Sequence, residues 1–129
     1  MREVDYKNYN SIALAFMGDA VYERFIRERI LRSGKTGADK MHRAAVRYVK
    51  AAAQELSLRE MLDDLTEDEQ VVVHRARNHK ITSKPKNADP LTYKMATAFE
   101  ALLGYLYLSG QSERLAELME RAAETIEKA

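Results

Sequence analysis

The chain has 129 residues, 46% of them hydrophobic, 32% charged, and a net charge of +1. That length and balance suit one domain with a modest core. The lack of cysteine rules out disulfides and cysteine-ligated zinc, and the longest apolar runs fall far short of the roughly 20 residues of a spanning helix. With no signal-like leader, the expected location is cytoplasmic, away from any membrane.

Taken in order, the chain predicts six helices and no strand. Asn10 or Ser11 caps a first helix ending near Ser33, with Gly34 as its stop; Leu14, Met17, Val21 and Phe25 recur at helical spacing. Gly37 and Asp39 open a second helix to about Glu55, with Met41, Ala45, Val49 and Ala52 inward. Ser57 is expected to cap a short third helix that buries Leu58, Met61, Leu62 and Leu65. Thr66 and Glu69 form a capping-box pattern for a fourth helix to about His79. Residues 80–89, KITSKPKNAD, lack periodicity and read as a loop. Asp89 and Pro90 start a fifth helix to about Ser109, stopped by Gly110. A sixth, from Ser112 to about Lys128, carries Leu115, Leu118, Met119, Ala122 and Ile126 on one side. Short connections between amphipathic helices predict an all-α bundle.

Two of these helices differ from the rest. In residues 12–22 only Gly18 and Asp19 break the apolar character, and in residues 95–108 the only acid or base is Glu100. Helices apolar nearly all round belong at the centre of a bundle. A carboxylate in such a setting protonates, finds a donor or meets a cation. Two on neighbouring helices suit Mg²⁺, which takes hard oxygen ligands and often only one or two carboxylates. Ordinary structural roles, an Asp at a kink and a Glu paired with Arg, stay open on these residues alone. Glu23, one turn after Asp19, fits best in an ion pair with Arg24 or Arg27.

Charge is segregated along the chain. Arg75, Arg77, Lys80, Lys84, Lys86 and Lys94 face a single acid, Asp89, between His74 and Lys94, whereas residues 55–69 hold Glu55, Glu60, Asp63, Asp64, Glu67, Asp68 and Glu69 against Arg59. A-form RNA is recognised through phosphates and 2′-hydroxyls, which calls for clustered cations and amides. The candidate RNA contacts are His42, Arg43, Arg47 and Lys50, with Arg75, Arg77, Asn78, His79, Lys80, Lys84, Lys86 and Asn87. The spacing of His42, His74 and His79 matches no zinc motif.

"LAFMGDAVYE" (14–23) resembles the signature helix of the ribonuclease III family, and "TAFEALLGYLYL" (97–108) resembles its second motif, in family order. Ala15 and Thr97 stand where two further family carboxylates are usual, while Asp19 and Glu100 are kept. That pattern, the segments RARNHK and SKPKNADPLTYK, and the lack of a following double-stranded-RNA-binding domain resemble the short Mini-III branch. The resemblance implies one all-α catalytic domain over residues 1–129, with Asp19 and Glu100 as catalytic and Mg²⁺-binding residues. It implies a homodimer in which Phe16 inserts into the partner. It further implies in-line hydrolysis of double-stranded RNA, leaving 5′-phosphate and 3′-hydroxyl ends with short 3′ overhangs. The implied substrate is the 23S rRNA precursor, processed with help from a large-subunit ribosomal protein. Two rival functions are a non-catalytic duplex-RNA-binding module and an all-α Mg²⁺-dependent nucleotide pyrophosphatase. The second normally needs paired Glu-x-x-Glu sets that the apolar helices lack.

Overall fold

The computed structural model describes residues 4–80 and 89–129. Among them are six α-helices and no strand: α1 (Ser11–Arg32), α2 (Ala38–Val49), α3 (Ala51–Met61), α4 (Glu67–Arg77), α5 (Pro90–Leu108) and α6 (Ser112–Lys128). Short 3-10 turns cover Tyr6–Asn8 and Leu62–Asp64.

Local chemistry sets most of the boundaries. The Asn10 side chain accepts from the Ala13 amide at 2.9 Å, and Gly34, at φ 93°, follows the last turn of α1. Thr66 and Glu69 close a reciprocal capping box, with bonds of 2.9 and 3.2 Å. The Asp89 carboxylate accepts from the Leu91 and Thr92 amides at 2.8 and 3.2 Å, with Pro90 at the first helical position. Gly110, at φ 75°, supplies the left-handed backbone after α5.

The region between Gly37 and Leu65 differs from expectation. The expected second helix is two helices, because Lys50 adopts an extended ψ of 153°. Ser57 is not a cap. It lies within α3, fully buried, and its hydroxyl donates to the Ala122 carbonyl oxygen at 3.2 Å. Ala52 is exposed rather than inward, and Tyr48 is the residue α2 buries. No glycine or proline marks the break. The kink lets α2 lie along α1 while α3 turns to pack against α5 and α6.

α5 is the axis of the bundle. From Met95 to Leu106 its side chains are buried on nearly every side, among α1, α3, α4 and α6. Its most extensive neighbour is α1, and two glycines bring these helices into backbone contact. A Cβ on Gly18 would collide with the Glu100 carbonyl oxygen, and one on Gly104 with the Leu14 carbonyl oxygen. Phe99 meets Tyr22 edge-on, ring centroids 5.0 Å apart, close to the same crossing.

The outer helices are tied by arginines. Arg29 bonds Glu120 and Glu127, each at 2.7 Å, and so fastens α6 to α1. Arg114 of α6 grips Glu69 of α4 at 2.8 Å, and Arg121 reaches Asp64 at 2.6 Å. Several acids that the sequence grouped within residues 55–69 are therefore internal ties.

Candidate active site

The site begins at the glycine crossing. With α1 and α5 this close, Asp19, the residue after Gly18, and Glu100, whose carbonyl faces Gly18, fall side by side. Asp19 is exposed, whereas Glu100 is only partly so; burial inside the bundle thus falls on one carboxylate and not on both. Burial, first, and then the contact with the Asp19 carboxylate push Glu100 up to about 8. The Gln54 amide, from α3, pulls the other way by favouring the charged Glu100 carboxylate, and Glu23 adds a further raising charge. Glu23 itself pairs with Arg27 at 3.3 Å, while Arg24 pairs with Glu28. Thr97 is half-buried one turn before Glu100, and Ala15 is buried one turn before Asp19.

Gln54 was not expected as a site residue. It is 3% exposed, a buried amide on the helix face that also buries Ser57, Leu58 and Met61. The signal was weak, because Gln54 stands beside Glu55 and Ser57 in AAAQELSL and the misplaced helix boundary hid which of them faced inward.

Two carboxylates pressed together with a neutral amide beside them suit a small divalent cation. Like charges in contact raise the cost of ionising both, and a cation between them removes it. Mg²⁺ needs no more protein carboxylates than this pair provides, since waters and substrate oxygens complete its octahedron. Among the described residues, no group of three or more His, Asp or Glu is placed to hold a metal ion, here or elsewhere, so the pair stands as two carboxylates only.

The basic candidates do not form one surface. His42 lines a groove of about 430 Å³ between α1 and α2, beside Glu23 and Arg27. Arg43 and Arg47 open onto a different groove, with Arg29 and Tyr48, and Arg47 donates to the Ile126 carbonyl oxygen at 3.0 Å. Lys50 is exposed at the α2–α3 break. Arg75 donates to the Lys7 and Tyr9 carbonyl oxygens at 3.2 and 2.9 Å and so pins the N-terminal segment. Arg77 and Lys80 are exposed, His79 is half-buried, and the Asn78 amide contacts the His74 ring at 3.0 Å. Lys84, Lys86 and Asn87 lie outside the described residues. Phe16, on α1, is 80% exposed.

Residues 12–111, which span both carboxylates, match the family model described as the ribonuclease III domain. The chain belongs to the ribonuclease III family. This ribonuclease III-family chain is 51% identical to a Mini-ribonuclease 3 of Symbiobacterium thermophilum, over 91% of this chain and 90% of that one. It is 46% identical to the Mini-ribonuclease 3 of Enterococcus faecalis, over 96% and 98% of the two chains. A crystal structure of a Fusobacterium nucleatum protein superimposes with a TM-score of 0.83 at 30% identity, covering 95% of this chain and 98% of that one. The family assignment makes the chain an endoribonuclease of the Mini-III kind.

Proposed function

We propose that this chain is a Mg²⁺-dependent endoribonuclease that cuts double-stranded RNA as a homodimer. Its natural substrate in this reading is the 23S rRNA precursor, presented in the cytoplasm with a large-subunit ribosomal protein. The observation that carries the reading is the contact of Asp19 with Glu100 at a crossing closed by Gly18 and Gly104.

Asp19 and Glu100 are the residues that would hold Mg²⁺. When bound, the ion supplies positive charge for the water nucleophile and for the phosphate oxygens as negative charge builds there. The chain's own part is positional. The glycine crossing fixes the separation of the two helices, and hence of the carboxylates, without relying on flexible side chains. In this reading buried Gln54 helps to set the Glu100 carboxylate, while exposed Asp19 stands on the solvent side, where a phosphodiester can approach. Water adds to phosphorus in line with the departing 3′-oxygen. The P–O3′ bond breaks and O3′ takes a proton, leaving a 5′-phosphate and a 3′-hydroxyl. Two active sites, one per protomer, cut opposite strands at offset positions and leave short 3′ overhangs. Phe16 is placed to insert into the partner subunit. His42, Arg43, Arg47, Lys50, Arg75, Arg77, Asn78, His79 and Lys80, with Lys84, Lys86 and Asn87, hold the duplex by its backbone.

Asp19→Asn and Glu100→Gln are each expected to slow cleavage of long duplex RNA in Mg²⁺ by roughly a thousandfold or more, with the helical circular dichroism unchanged. Wild-type rates in both variants would remove the pair from the chemistry. Sizing the products of the wild-type protein, with and without Mg²⁺, tests the reaction itself.

A further inference from the structure

A second basic groove lies away from the carboxylate pair. It measures about 330 Å³ and is walled by the end of α1, the α1–α2 connection, α2 and the end of α6. Five bases line it, Arg29, Lys35, Lys40, Arg43 and Arg47, against one acid, Glu127. That acid is already committed: it bonds Arg29 at 2.7 Å and accepts from the Tyr48 hydroxyl at 2.7 Å. Among the described residues Lys35, Lys40 and Arg43 form no ion pair, whereas Arg24, Arg27, Arg29, Arg32, Arg59, Arg114 and Arg121 all do. Arg47 likewise has no carboxylate partner among the described residues, so four of the five bases in the groove lack one, Arg29 being the exception. The N-terminus of α2 opens beside them, and its first amides receive no side-chain cap. Asp39 is the one acid of that first turn.

The groove also has a rigid floor. Arg29 and Tyr48 are locked to Glu127 of α6, and Arg47 to the Ile126 carbonyl oxygen, by bonds of 2.7 to 3.0 Å. Unpaired cations on a mobile-side-chain rim over a fixed floor suit a polyanion that passes across, bound by charge and not by shape. Among the described residues, no exposed aromatic ring lines the groove on which a base could stack. Arg29 stands ten positions beyond Asp19, about 15 Å along the same helix. The groove is therefore out of reach of the scissile phosphate but near enough for the same duplex.

Resting on the duplex-RNA reading above, we propose that this groove is a distal phosphate dock, which holds the backbone of the substrate about 15 Å along α1 from the cut. Lys35 and Lys40, which the sequence did not single out, are its principal contacts with Arg43.

The test measures binding of duplex RNA without divalent metal, so that catalysis plays no part. Long and short duplexes are titrated over a range of salt. Lys35→Ala/Lys40→Ala is expected to weaken binding of the long duplex roughly fivefold or more near 0.1 M salt, and to make its salt slope shallower by about two. The short duplex, just long enough to cover the carboxylate pair, should lose much less. Lys35→Arg/Lys40→Arg should restore both affinity and slope. Wild-type affinity and slope in the alanine pair would overturn the dock and leave the duplex-RNA reading standing. An equal loss on short and long duplexes would also overturn it, because the lysines would then act at the cut or through general charge. If the wild-type protein bound no duplex at all, the duplex-RNA reading would fall and take the dock with it.

Discussion

Glu127 shows how one side chain can carry several duties. It lies near the end of α6, joins Arg29 of α1 and accepts from Tyr48 of α2. The Arg29 bonds, opposed by burial and helped by the Tyr48 hydroxyl, hold its carboxyl down at about 2, against an ordinary 4.5. A depressed carboxylate contributes stability that is fully present above its unfolded value and is lost as pH falls through the folded one. The window is therefore from about 4.5 down to about 2. Arg29→Ala is expected to lower stability by about 1 kcal/mol at pH 6, a modest figure because the pair is partly exposed and screened. The gap to the wild-type protein should narrow at pH 3. Urea melts of both proteins at the two pH values check this, and a constant gap would assign the loss to packing alone. Tyr22 makes a different point at this scale. Its hydroxyl is buried with no hydrogen-bond partner among the described residues, and burial raises its pKa. Its contribution is the ring, edge-on to Phe99.

At the scale of elements, the crossing of α1 and α5 decides most. Glycine weakens a helix by up to about 1 kcal/mol relative to alanine, so two glycines at facing positions demand a compensating gain. The gain is backbone-to-backbone packing of α1 on the buried axis helix α5, with the carboxylates set beside it. Gly18→Ala and Gly104→Ala are each expected to destabilise by about 3 kcal/mol or more, because the new methyl meets main-chain carbonyls that cannot rotate away. Alanine is the better helix former, so a helix-propensity argument predicts the opposite sign. Chemical denaturation of either variant separates the two. The α2–α3 break belongs to this scale as well. Residues 51–56, AAAQEL, are good helix formers, and nothing in them stops a helix. The bend at Lys50 exists because α2 packs along α1 while α3 turns towards α5 and α6, and burying both apolar faces outweighs one helical turn.

For the whole molecule, the exposed apolar side chains matter most. Phe16 is 80% exposed and Ile12, four residues earlier on the same face of α1, 49%. Large apolar groups in contiguous exposure mark an interaction surface. In the homodimer reading this face is the interface, and it runs beside Asp19, which would place the two active sites near the shared axis. Phe16→Ala should weaken the dimer at least about tenfold, consistent with the loss of an aromatic anchor. Sedimentation equilibrium of both proteins checks it. A wild-type chain that stays monomeric at micromolar concentration would remove the two-site arrangement. The charge map has its meaning at this scale too. Acids of residues 55–69 tie helices together, through Glu69 to Arg114 and Asp64 to Arg121, while Lys35, Lys40 and Arg43 form no ion pair among the described residues.

What the sequence by itself determined were the features written in local chemistry. The capping box at Thr66, the Asp89–Pro90 start and the stops at Gly34 and Gly110 need only neighbouring residues, and so they were legible. So were the apolar stretches of α1 and α5 and the single carboxylate within each, although only α5 is buried on nearly every side, while α1 leaves Ile12 and Phe16 exposed. The tertiary structure alone decided what depends on contacts between distant residues. It split α2 from α3, buried Ser57 against Ala122, aimed Gln54 at Glu100, and sent His42 and Arg43, adjacent in sequence, into different grooves. Neighbouring residues on a helix point about 100° apart, so only the packing of the helices settles which groove each side chain enters.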